Sequence, residues 1–188
     1  MIEQHIADLL NHPKVVETRH HLHHSIPKHD HLLRSVRFSY RLAQMLGADE
    51  RVCARAALIH DIDSRYGTLT THGAIAARWA AEQGESDEVC RAIISHMYPF
   101  GPSPTSREAW VLVLADKAAS VGDIKQFVIG LADGRSWRIR RQLQKSDPFH
   151  QCQRRWSIRW KIRRKLQQQI PFYRHRRRYW IKQRHKVL

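Results

Sequence analysis

The sequence predicts an all-α fold for residues 1–135, followed by a basic, partly helical extension over 136–188. Three observations carry this expectation. Apolar residues recur at three- and four-residue steps in one segment after another. No stretch of the body sustains the two-residue alternation of a half-buried strand. The charge also changes abruptly after Arg135: residues 1–135 hold 15 Lys/Arg against 16 Asp/Glu, whereas 136–188 hold 18 against the single acid Asp147. The formal net charge of +16 therefore belongs to one end of the chain.

Taken in order, Ile2, Ile6, Leu9 and Leu10 share a helical face, and Asn11-His-Pro13 ends that helix and opens another at Pro13. Residues 14–24 are polar and rich in histidine, and Ser25-Ile-Pro27 interrupts them. From Lys28 a strong helix places Leu32, Val36, Tyr40, Ala43 and Leu46 on one side, with Gly47 as its C-terminal stop. Asp49 caps the next helix, which ends at His60-Asp61. Tyr66-Gly67-Thr68 marks a loop. His72 opens a helix through Ala81, Ser86 or Asp87 caps another reaching His96, and Ser106 caps the helix that carries Asp116. Leu131-Ala-Asp-Gly134 breaks the pattern before the basic segment.

With 188 residues, 42% of them hydrophobic, the chain suffices for one packed domain and an appendage. Cys53, Cys90 and Cys152 are odd in number, far apart and in no Cys-x-x-Cys pair, which excludes a disulfide framework and a cysteine zinc site. A reducing cytoplasm is the expected compartment. The N-terminal residues lack the basic and apolar runs of a leader, and no stretch approaches the roughly 18 apolar residues of a membrane span.

The helix from Arg51 to Asp63 is small or apolar on almost every side, as in a helix enclosed by others, and it ends in two consecutive ionisable residues. A buried carboxylate beside an imidazole is costly unless something compensates, and a bound cation does so directly. Candidate partners near helix ends are His31, His72, His96 and Asp116; with His60 and Asp61 they are separated by 29, 1, 11, 24 and 20 residues. Imidazole and carboxylate without thiolate suit iron, manganese or zinc. Eight of the fourteen histidines lie at or before position 31, so His24 and His29 compete with His31. Only His31 stands directly before an apolar-periodic helix face. A lone histidine is more often a satisfied polar residue than a ligand. No Gly-rich phosphate loop, Cys-His pair or serine triad supports a different chemistry.

The order His, His-Asp, His, His, Asp resembles the HD-domain metal-dependent phosphohydrolase superfamily. Ala-Ala-Leu-Ile-His-Asp matches the family's core phrase, and Ser-His-Met-Tyr-Pro and Leu-Ala-Asp-Lys resemble closing elements of one bacterial branch. The resemblance covers about His24 to Asp123 and implies an HD-domain helical bundle. It implies a first ion held by His31, His60, Asp61 and Asp116, and a second added by His72 and His96 with Asp61 bridging. The implied reaction is hydrolysis of a phosphate ester, of a small molecule or a nucleotide, by a metal-activated water. Asp61 then acts at the catalytic centre. Lys117 is a candidate for neutralising phosphate charge, Asp63 for carrying a proton and Arg65 for clamping phosphate.

In the extension, residues 156, 160, 162, 166 and 170 are apolar at near-helical steps among Arg and Lys, which describes a basic amphipathic helix stopped by Pro171. A second basic run, 174–188, is expected to be disordered when unbound. Three uses stay open: nucleic-acid binding, with rings stacking on bases; an anionic membrane surface; or a helix packed on the body. An alternative function follows, in which the metal site is vestigial and the extension does the binding.

Overall fold

The computed structural model describes residues 2–23 and 26–146. The amphipathic segment 156–170, Pro171, the run 174–188, His24 and Cys152 lie outside the described residues. Within them the chain is built from eight α-helices: α1 (Ile2–Leu10), α2 (Pro13–Glu17), α3 (Lys28–Leu46), α4 (Glu50–Ile59), α5 (His72–Glu82), α6 (Asp87–Ser95), α7 (Arg107–Ala132) and α8 (Arg135–Ser146). The compact unit runs from Met1 to Ser146, so α8, drawn from the basic segment, folds as part of the body and packs on α7. No described helix is long and apolar enough to cross a membrane.

The helix boundaries follow from side chains that satisfy the free ends of the backbone. Asp49 accepts from the Val52 amide at 2.8 Å, Ser106 from the Ala109 amide at 3.1 Å, and Ser86 from the Val89 amide. At the other end of α3, Gly47 adopts a left-handed conformation (φ 61°) in which its amide reaches the Ala43 carbonyl. These caps fix where α4, α6 and α7 begin, and hence where α4 and α6 run out.

One element departs from the all-α expectation. Leu22–His23 (β1) and Ile26–Pro27 (β2) pair as a minimal antiparallel hairpin, with His23 opposite Ile26. Two-residue strands leave no alternation to read. The hairpin nevertheless sets the direction of His23, which faces the site described below.

Helix α4 lies at the centre, packed against α1, α3, α6 and α7. Cys53, Ala54, Ala56, Ala57, Leu58 and Ile59 are fully buried. Small side chains allow four helices to close on it, while Leu58 and Ile59 join Leu32, Val36, Ile93 and Leu112 in the core. Burial also pushes the Cys53 thiol up to about 12, which makes it a packing group without thiolate reactivity.

The exception on α4 is Arg55. Its guanidinium donates to the His5 carbonyl and both Asp8 oxygens at 2.8 Å, and to the two Glu85 oxygens at 2.6 and 2.8 Å. It thus ties α1 and the turn before α6 to the central helix, and the Glu85 carboxylate is almost entirely enclosed. Replacing Arg55 with Met removes the only charge on α4 that faces this enclosed carboxylate. The expected loss is about 3 kcal/mol of unfolding free energy, measured by urea denaturation.

Candidate metal centre

Helix ends deliver the histidines and Asp61, whereas Asp116, expected near a helix end, lies inside α7. His60 occupies the C-cap of α4 and His96 that of α6, where the last carbonyls lack intrahelical partners. Each ring answers this locally: His60 Nδ1 lies 2.9 Å from the Ala57 carbonyl, and His96 Nδ1 lies 2.7 Å from that of Ile93. His72, the first residue of α5, reaches back with Nδ1 to the Thr68 carbonyl at 2.8 Å. A carbonyl only accepts, so Nδ1 of each ring carries a proton, and in the neutral ring Nε2 presents a lone pair. His31, fully buried in the first turn of α3, places Nδ1 2.7 Å from Asp123 Oδ2.

Those lone pairs converge. His31 Nε2 and His60 Nε2 are 3.4 Å apart, and Asp116 Oδ1 on α7 lies 3.2 Å from the first and 3.5 Å from the second. Next to this triad, His72 Nε2 and His96 Nε2 are 2.9 Å apart, with Asp61 Oδ1 at 3.4 and 3.9 Å. Acceptor atoms facing one another without a proton between them repel unless a cation lies among them. Donors about 2.1 Å from one ion are roughly 3.0–3.4 Å apart at tetrahedral to octahedral angles, so the first spacing suits a shared ion. The donor atoms of His60, Asp61 and His96 also lie within 4.8 Å of one another. The residues present therefore fit divalent-metal binding in number, chemistry and tautomer.

Electrostatics agree. Burial acts to raise the Asp61 carboxyl, but the facing His60, Lys28 and His23 hold it far below the usual carboxylate range. Asp116 is also held well below, its burial outweighed by the imidazoles of His31, His60 and His96 that face it. Burial and then the proximity of His60 push His96 down to about 4, so this ring is neutral and able to ligate at neutral pH.

All six residues expected as ligands, His31, His60, Asp61, His72, His96 and Asp116, come together at this centre. His29 turns instead to the Thr18 hydroxyl. A cleft of about 400 Å³ opens above it, walled by Asp61, His72, His96, Asp116 and Lys117, with Leu69, Tyr98 and Phe100 toward the outside. Lys117 thus stands beside the centre. Asp63 and Arg65 do not line the cleft: Asp63 pairs with Lys14, and Arg65 donates to Glu17 Oε1 at 2.9 Å and His21 Nε2 at 2.8 Å. Asp63 has a left-handed backbone (φ 58°), which turns the chain away just after the pair.

Four further residues complete the surroundings. His23 Nδ1 lies 3.3 Å from Asp61 Oδ2, and its ring stacks at 4.2 Å on that of His31. Buried Lys28 donates to the Asp61 carbonyl at 3.1 Å and to the Ser64 hydroxyl at 2.6 Å. Asp123 and Arg34 stand behind His31. Among five histidines between positions 20 and 29, His23 has no distinguishing neighbour in the sequence. Asp123 had a signal, since it lies seven residues after Asp116 on one helix and hence on the same face.

The HD domain family matches residues 29–120, which span every ligand candidate. This segment of the chain is an HD domain. Ribonuclease Y of Cutibacterium acnes is 40% identical over 79 residues, which make up 39% of this chain and 14% of that protein. Ribonuclease Y of Rubrobacter xylanophilus is 46% identical over 57 residues, 29% of this chain and 11% of that protein. The similar region is thus about one seventh or less of each relative. No solved structure matches the chain. The HD domain generally indicates hydrolytic, metal-dependent phosphohydrolase chemistry, and its His/Asp clusters suit a divalent ion.

Without metal, the depressed His96 couples stability to pH. Below its ordinary value of 6.5 the unfolded chain takes up a proton that the folded chain refuses until about pH 4. The unfolded state then binds more protons, so stability falls as pH falls through that window. Chelator-treated protein is expected to lose Tm between pH 7 and pH 5. The loss should be smaller in His96→Asn, as read by thermal denaturation at both pH values.

Proposed function

We propose that this HD domain is a metal-dependent phosphohydrolase acting on a phosphodiester of single-stranded nucleic acid. The observation that carries the hydrolase assignment is the convergence of unprotonated imidazole nitrogens and ionised carboxylates, a set of acceptors that needs a cation at its centre. His31, His60, Asp61 and Asp116 would hold a first divalent ion, and His72 and His96 would add a second. Iron, manganese and zinc all suit these donors. When bound, such ions supply Lewis acidity: they acidify water and withdraw charge from phosphoryl oxygens.

The chain's own groups do the rest. Lys117, exposed on the cleft wall, faces the incoming phosphate and offsets its charge. Tyr98 and the largely exposed Phe100 offer rings at the cleft's outer side, where an unpaired base can stack beside a phosphate at the centre. Asp63 and Arg65 hold the loop after His60-Asp61 onto the N-terminal segment rather than touching substrate.

Two further considerations favour nucleic acid over a small phosphomonoester. The related segments belong to proteins named ribonuclease Y. The extension carries the chain's excess cations interleaved with Trp and Tyr, the composition that neutralises phosphates and stacks on bases.

Element analysis of the purified protein, joined to hydrolysis assays on single-stranded RNA, single-stranded DNA and phosphomonoesters, tests this assignment. Asp61→Ala should lose both bound metal and hydrolysis. Phe100→Ala should keep its metal and lose roughly 5- to 100-fold in kcat/KM on oligonucleotides, the value of one stacked base. Absence of metal and of hydrolysis in the wild type, with RNA binding intact, would leave a binding protein with a vestigial HD site.

A further inference from the structure

Behind the metal centre, on the side away from the cleft, lies a second set of charges that none of the proposed chemistry uses. Asp123 is fully buried, as is the His31 ring it faces. Its Oδ2 accepts from His31 Nδ1 at 2.7 Å, and its Oδ1 is taken by the Arg34 guanidinium. Arg34 also donates to the Gln126 side-chain oxygen, and Gln126 donates through Nε2 to Asp30 Oδ2 at 3.2 Å. Every member is thereby aimed by the next.

The helix accommodates this arrangement. Gly122 sits in the middle of α7, where glycine costs about 1 kcal/mol relative to alanine. A Cβ at that position would lie 2.7 Å from Arg34 Cδ and 3.1 Å from Arg34 Nε. The missing side chain is what lets Arg34 lie across α7 and reach Asp123. His23, His31 and Asp123 could also be read as a third group of ligands. The 2.7 Å contact with Nδ1 is instead a hydrogen bond, and Asp123 addresses the ring nitrogen opposite the one that faces the metal centre.

We propose that Asp123 is a positioning residue that fixes the His31 tautomer, and that Arg34 fixes Asp123. The other three histidines have Nδ1 held by backbone carbonyls, which can only accept. His31 alone depends on a side chain, so its tautomer is the one a substitution can invert. A carboxylate has an acceptor oxygen for each neighbour. An asparagine has only one, and Arg34, which can only donate, claims it. The asparagine NH2 then faces His31 Nδ1, which must accept, and the ring proton moves to Nε2, where it blocks ligation. The consequence for metal affinity rests on the proposed metal-dependent function; the tautomer does not.

Long-range 1H–15N correlation spectra of the metal-free full chain, with His31 assigned from the His31→Gln spectrum, test this directly. The wild type should show His31 protonated on Nδ1 and Asp123→Asn on Nε2. Calorimetric titration with manganese chloride should then give a Kd weakened about 10- to 100-fold in Asp123→Asn. In Arg34→Ala/Asp123→Asn the amide oxygen is released to His31, so the Nδ1 tautomer and the affinity should return. A merely structural role would add the two defects. A wild-type ring protonated on Nε2 overturns the proposal even where Asp123→Asn fails to fold. So does an Asp123→Asn protein with unchanged tautomer and affinity, or a double variant that regains neither. A wild type that takes no manganese but holds the Nδ1 tautomer would sink the hydrolase assignment and leave this one standing.

Discussion

The arrangement of the whole site depends on one hydrogen-bonding constraint, that each histidine ring donates its Nδ1–H to an acceptor supplied by the fold. Imidazole has two nitrogens and one proton when neutral, so fixing the first nitrogen decides what the second presents. At His60, His72 and His96 the acceptor is a backbone carbonyl three or four residues earlier, at or beside a helix end. Helix termini thereby do two things at once. They satisfy carbonyls that the helix leaves over, and they turn a lone pair toward the place where several helices meet.

Such convergence requires the helices to stop at the right points around a rigid centre. Helix α4 is narrow because it is rich in alanine, which brings α1, α3, α6 and α7 close to one axis. His60 and Asp61 then emerge at its end among His31, His96 and Asp116 from three of those neighbours. Arg55, midway along α4, ties α1 and Glu85 to the same axis. Core packing and site geometry are therefore the same problem: a shift of α4 would move two ligands at once and enlarge the gaps to the others.

Much of this could be read from residues because the signals are local. Asp49, Ser86, Ser106 and Gly47 mark one end of a helix each, and His31, His60 and His96 stand at the other ends of α3, α4 and α6. The order of six candidate ligands added what a single histidine could not. The remainder was hidden where tertiary structure overrides adjacency. Asp63 and Arg65 follow the His60-Asp61 pair in sequence, yet the left-handed turn at Asp63 delivers them to Lys14, Glu17 and His21. His23 is placed by strands too short to carry a pattern, and Lys28, the first residue of α3, is buried against the Asp61 carbonyl, a contact made across 33 residues.

The charge distribution separates two tasks that a basic protein could otherwise be thought to merge. Residues 1–135 are nearly neutral, and the metal centre within them is acidic and closely packed. Without cations such a centre repels a phosphate, so anion attraction has to come from the ions themselves, from Lys117, or from outside. The excess of Lys and Arg lies after Arg135, apart in sequence from every expected ligand. A lysine or arginine among the ligands would compete with the metal for Asp61 and Asp116. A cation remote from the ligands acts on a polyanion through long-range charge alone and leaves such carboxylates to the ions.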